Sequence, residues 1–194
     1  MSIPLTLRVI RDEHNALSAM LQSLHLLLRQ GPEGDPKRFF ATLRAMLFYI
    51  DEYPERLHHP KETELLFPRV LRHSPEAAAA VQKLDQDHVH SERAVRELQH
   101  LLLAWELLGE SRRAAFVDAF GKYINGYREH MLLEETAILP VAEKSLTAED
   151  WAEVDAAFAA NRDPMTGKYP AEGIYEELFK RIVHDAPAPI GLGG

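Results

Sequence analysis

His58 and Glu62 form a His-x-x-x-Glu pair, and His130 and Glu134 repeat it. Residues four apart on an α-helix share one face and differ by a rise of about 6 Å, so each pair can aim an imidazole and a carboxylate at one point. His14 and His88 stand in the apolar stripes of two other predicted helices. Mixed imidazole and carboxylate donors suit iron, manganese or zinc, and a carboxylate-bridged pair of ions favours redox-capable iron or manganese. Four helices that each place a His inward, two of them adding a Glu one turn later, predict a dinuclear metal site. Two bridging Glu and two terminal His per ion would leave coordination positions open for an oxo or hydroxo bridge and a small exogenous ligand. Without a cation, burying these groups is costly.

Amphipathic helices must position these residues. The first carries Leu7, Ile10, His14, Leu17, Leu21, Leu24 and Leu28 at steps of three and four, and the Gly31–Pro36 run ends it. The second carries Phe40, Leu43, Leu47, Ile50, Leu57 and Leu65, interrupted by Pro54 and Pro60. Each proline removes a backbone donor, which predicts a kink or local bulge. The alternative is a new helix starting at Pro60, in which His58 and Glu62 would not share a face. Ser74-Pro75-Glu76 is a helix start. The helix it opens carries Val81, Leu84, His88, Ser91, Val95, Leu98, Leu102 and Trp105, with the small Ser91 leaving room beside His88. The fourth reads Phe116, Phe120, Tyr123, Tyr127, His130, Glu134, Ala137 and Val141.

Thr147 to Asp150 reads as a capping box opening a short helix through Trp151, Val154 and Phe158. Asn161 to Pro170 is a turn-rich connection, and Ile174 to Val183 is a last short helix. Ala186 to Gly194 has no pattern and is expected to be mobile or to lie on the surface. The expectation is therefore all-α: a helical bundle over residues 1–145 and a short C-terminal helical extension with a tail over 146–194.

Composition excludes much else. The chain has 194 residues, 46% of them hydrophobic, and the apolar residues are spread periodically rather than in a membrane-spanning block. A net charge of -8 gives no electrostatic footprint for nucleic acid. The N-terminus lacks a basic region followed by an apolar run, so a cytoplasmic protein is expected. With no cysteine, thiolate metal sites, iron–sulfur clusters and disulfides are excluded, and metal chemistry falls to the ten His and the carboxylates. His90 points about 200° away from His88 and is expected to be solvated. His25, His73, His100 and His184 fall off the apolar seams or near helix ends. His59 competes with His58, standing three residues before Glu62. The match to the four-residue spacing of His130 and Glu134 favours His58.

Four stretches carry a family resemblance: Asp12-Glu13-His14-Asn15-Ala16-Leu17, LHHPKETELLFPRVL from Leu57, DHVHSERAVREL from Asp87, and YREHMLLEETAILPVA from Tyr127. In this order they resemble the hemerythrin-like, or HHE cation-binding, family over roughly residues 5 to 145. The resemblance implies an up-down-up-down four-helix bundle around two iron ions. His14, His58, His88 and His130 would then be terminal ligands, and Glu62 and Glu134 bridges. Oxygen-carrying hemerythrins place a further His where this chain has Glu92. A set of four His and two Glu is more similar to bacterial di-iron proteins linked to repair of nitrosative or oxidative damage, although their cysteine-containing N-terminal segment has no counterpart here.

Glu92 reads either as a surface acid paired with Arg96 at helical spacing or as a third carboxylate at the metal edge. Tyr127, with Tyr123, Tyr49 and Tyr53, reads as a core aromatic able to hydrogen-bond to the site. The expected activity is binding of, or reaction with, O2, NO or peroxide in sensing, detoxification or stress response. An oxidase or peroxidase acting on another substrate and a metal-dependent interaction module are the alternatives. The extension could form a lid or the contact of a homodimer.

Overall fold

The computed structural model describes residues 3–171 and 173–193. Helix α1 spans Leu5–Gln30 and ends at Gly31, whose φ of 74° suits glycine. The second rod begins as α2, Pro36–Ile50, with Asp35 accepting from the Arg38 N–H and Pro36 in the first turn. It continues without a break through a π-helical stretch at Asp51–His58, α3 at His59–Lys61, a second π stretch at Glu62–Leu66, and α4 at Phe67–His73. Helix α5 spans Ala78–Leu108, preceded by a 3-10 turn at Pro75–Ala77, and the Ser74 side chain makes no capping bond. Helix α6, Arg113–Leu133, passes through a third π stretch at Glu134–Ile138 into α7, Leu139–Ser145. Contacts join α1 to α2, α2 to α5, α5 to α6 and α6 back to α1, closing a four-helix ring. Among the described residues there is no strand, and no helix is long and apolar enough to cross a membrane.

The prolines explain the π stretches. A proline in an α-helix collides with the carbonyl four residues earlier. For Pro60, Pro68 and Pro140 those carbonyls belong to Arg56, Glu64 and Thr136, and each lies inside a π stretch, where the turn holds one more residue. The wider hydrogen bonds are explicit: His59 N–H donates to Pro54 O, Phe67 N–H to Glu62 O, and Leu139 N–H to Glu134 O. The expected bulge is therefore present and the rod does not restart at Pro60. The extra residues also rotate the seam. Leu57, expected inside, is 40% exposed, while His58 and His59 both turn inward.

The extension packs on the bundle. Thr147 and Asp150 form the expected capping box for α8, Ala148–Phe158, which lies against α1. Pro4 offers α1 no side-chain cap, and Asp155 of α8 takes that role, accepting from the Leu5 and Thr6 N–H groups. Helix α9, Glu176–Asp185, packs on α2. The tail is exposed at Ala188, Pro189 and Leu192 and docked at other points. Ala186 is fully buried, Ile190 N–H donates to the Ser23 hydroxyl, and the Leu192 and Gly193 N–H groups donate to Val183 and Ala186 carbonyls.

Candidate metal centre

The bundle core is two apolar clusters with a polar layer between them. One holds Leu17, Tyr53, Val95 and Tyr127, and the other Ile10, Leu66, Leu84 and Ile138. Each of the four rods crosses from one cluster to the other at a histidine: His14, the His58–His59 pair, His88 and His130. All five imidazoles, with Glu62 and Glu134, are buried. Their donor atoms converge in two groups, each within 4.8 Å: His14, His58, Glu62 and Glu134, and His59, Glu62, His88 and His130. The six residues expected at the site are all there, with Glu62 common to both groups.

His59 joins them as a fifth imidazole. On a regular α-helix, adjacent side chains diverge by about 100°, which turns two neighbouring rings in different directions. The π turn lowers that angular step. The His58 and His59 rings meet edge-on at 5.7 Å, and His59 stacks on His88 at 4.1 Å. Glu92 is not at the centre: it is half-exposed and pairs with Arg96 at 2.8 Å, the surface reading. Tyr127 lies beside it, its hydroxyl 2.9 Å from Glu55 Oε1 and 3.2 Å from His59 Nε2.

Outer partners fix the rings. His14 Nδ1 donates to Glu135 at 2.8 Å and His58 Nδ1 to Glu13 at 2.5 Å, and His59 Nδ1 is hydrogen-bonded to Glu55 at 3.0 Å. An ionised carboxylate only accepts, so His14 and His58 carry the proton on Nδ1 and turn Nε2 to the centre. His88 Nδ1 meets the Thr63 hydroxyl at 2.9 Å, which in turn donates to Asp85, and the same tautomer follows. His59 is held from both sides, Nδ1 by Glu55 and Nε2 by the Tyr127 hydroxyl, and burial raises Glu55 to about 7. The sequence reading missed Glu13, Glu55, Thr63 and Glu135, because three of these contacts cross between helices and the fourth depends on the π turn. The extension supplies support as well: Asn161 Nδ2 donates to Glu13 Oε2 at 2.9 Å, and Phe158 lies edge-on to His58. Replacing Glu13 by Gln is expected to weaken metal binding about 10- to 100-fold, read by competition with a chelator. Asn161→Ala should give a smaller loss of the same sign. Unchanged affinity in Glu13→Gln would contradict this role.

At the centre the close approaches are not hydrogen bonds. His58 Nε2 lies 2.7 Å from Glu62 Oε1 and His88 Nε2 3.3 Å from Glu62 Oε2, yet these atoms, both Glu134 oxygens and both His130 nitrogens have no hydrogen-bond partner. Buried unpartnered polar atoms at such density are costly unless a cation gathers them. Electrostatics agrees. Burial pushes Glu134 up to about 7, with the neighbouring Glu62 charge adding to it. Burial acts on Glu62 in the same direction, but His58 and His88 outweigh it and hold that carboxyl well below its usual range. His14 is raised to about 9, burial being overcome by Glu134 and Glu135, and Glu62 and Glu13 likewise raise His58 against its burial. Burial and the neighbouring His88 lower His130 to about 3. The layer fits a pair of cations.

A family model, hemerythrin HHE cation binding domain, matches residues 5–142 of the chain. Compared with curated proteins and with solved structures, the chain matches none.

Proposed function

Because the chain belongs to the hemerythrin HHE cation-binding domain family, we propose that it is a non-haem di-iron protein whose centre binds or reacts with O2, NO or peroxide. The observation that carries this reading is the set of unpartnered nitrogen and oxygen atoms of His58, Glu62, His88, His130 and Glu134, turned toward one another in a buried layer. His14, His58, Glu62 and Glu134 would hold one ion, and His59, His88, His130 and Glu62 the other. The two halves differ, one richer in carboxylate and the other in imidazole. Iron bound there would supply open coordination positions and redox chemistry to a small exogenous ligand; manganese or zinc suits the same donor types. The chain's own part is to orient the imidazoles through Glu13, Glu55, Thr63 and Glu135, and to exclude bulk water with the apolar clusters on either side.

Metal analysis of protein from iron-replete cells, followed by stopped-flow spectra of the reduced protein with O2, NO and peroxide, tests the proposal. It predicts iron in both halves and spectral change with at least one ligand. An iron-loaded protein inert to all three would overturn the reactive role.

The protonation states add a pH dependence. Without metal, His14 and His58 hold protons at neutral pH, and ligation requires both to be neutral. Uptake at the His14–His58 half therefore releases protons, and affinity falls as pH falls. Two protons correspond to a slope of about hundredfold per pH unit, steepening below pH 7 because Glu134, raised to about 7, must also ionise. Metal titrations at two pH values in this range check it, and a flat profile would contradict it.

A further inference from the structure

A cleft of about 530 Å³ opens between α5 and α6 and reaches His59 and His130 at its inner end. It is far larger than a diatomic ligand needs, since one water takes about 30 Å³, and it falls within the size range of organic-ligand sites. Small residues make it: Ser91 and Ala94 on α5 face Ala115, Ala119 and Gly126 on α6. A methyl group added at Gly126 would meet nothing within 4 Å. From Asp87 to Leu101 the α5 wall runs about 20 Å, giving an elongated slot with a polar inner end and, beyond it, an apolar strip bordered by charged residues.

The inner end has an unmet hydrogen-bonding demand. Four of the five histidines satisfy Nδ1 through an outer partner, but His130 is 4% exposed and has no partner on either nitrogen. Its Nδ1 lies 3.9 Å from Asp87 Oδ2, too far for a hydrogen bond; Asp87 also accepts from Lys83, and both His130 and Asp87 line the cleft. A group bridging them must accept from Nδ1–H and donate to the carboxylate. Water and an alcohol hydroxyl both do this, whereas an ammonium cannot accept and a carboxylate cannot donate, and the apolar strip of Ala94, Ala119 and Leu101 beyond favours the alcohol. Glu97 and Asp118 border the cleft, Lys122 there is paired with Asp118 at 2.8 Å and Lys83 with Asp87, so neither lysine is left for an anion.

We propose that the α5–α6 cleft binds an elongated, uncharged alcohol, its hydroxyl between His130 and Asp87 and its apolar tail along Ala94, Ala119 and Leu101. The donor role of His130 Nδ1 rests on the metal reading above, in which Nε2 faces an ion.

Calorimetric titration of the full iron-loaded chain with 1-octanol, octanoate and n-octylammonium tests this. Octanol is expected to bind at least about tenfold more tightly than either charged analogue. Gly126→Leu and Ala94→Leu, filling the slot from opposite walls, should each weaken octanol binding by about tenfold or more, with iron content and circular dichroism unchanged. Iron present without octanol binding, equal binding of the three probes, or parental affinity in both variants would overturn the cleft assignment. A chain that takes up no iron yet binds octanol in a Gly126-dependent way would overturn the metal reading and retain the cleft.

Discussion

Glu62→Gln is expected to empty both halves of the centre at once. Glu62 is fully buried and belongs to both donor groups, whereas every other residue of the centre belongs to one. Glutamine keeps the volume but removes the charge, and its amide hydrogens would face the cations. The loss expected is at least about hundredfold in affinity for either ion, because an amide cannot replace a buried anionic donor. Glu134→Gln should act mainly on the half it shares with His14 and His58. Metal content per folded chain, with circular dichroism to verify the helices, separates these outcomes. Retention of both ions by Glu62→Gln would show that the carboxylate is not shared.

Stripping the metal should lower the melting temperature by about 10–20 °C. Two ions, each present at about a hundredfold over its dissociation constant, contribute about 5 kcal/mol by linkage. For a chain of this length each kcal/mol corresponds to about 2–4 °C. The physical source is the polar layer between the two apolar clusters. Without cations, Glu62 and Glu134 face each other across buried space, and burial together with Glu62 drives Glu134 toward its neutral form. Thermal melts before and after chelation, with metal restored as the control, measure the difference. Identical melting temperatures would mean that metal does not support the bundle.

Much of the fold was legible because a helix in a bundle must repeat its apolar residues every three or four positions. His14, His88 and His130 were identifiable as polar residues at steps where apolar ones belong, and Thr147 and Asp150 gave the start of α8 from their types alone. Leu57 was misplaced because the same periodicity, continued past Pro54, ignores residues added by the π turns. The prolines were the available signal: Pro60, Pro68 and Pro140 each require a displaced carbonyl four residues back. The docking of the tail was not legible, because it rests on backbone hydrogen bonds and on Ser23, which leave no periodic trace.

By itself the sequence determined the all-α class, the exclusion of thiolate chemistry, and the two His-x-x-x-Glu pairs that seed the centre. These follow from residue type and from spacing along one helix, which are local properties. Tertiary structure decided that His58 and His59 both face inward and that Glu62 is common to both groups. It also decided that Glu92 stays at the surface with Arg96, and that Glu13 and Asn161 brace a ring on another helix. Each of these depends on how far a turn is rotated or on which side chains meet across helices. Distances between helices are set by packing, and no spacing within one segment records them.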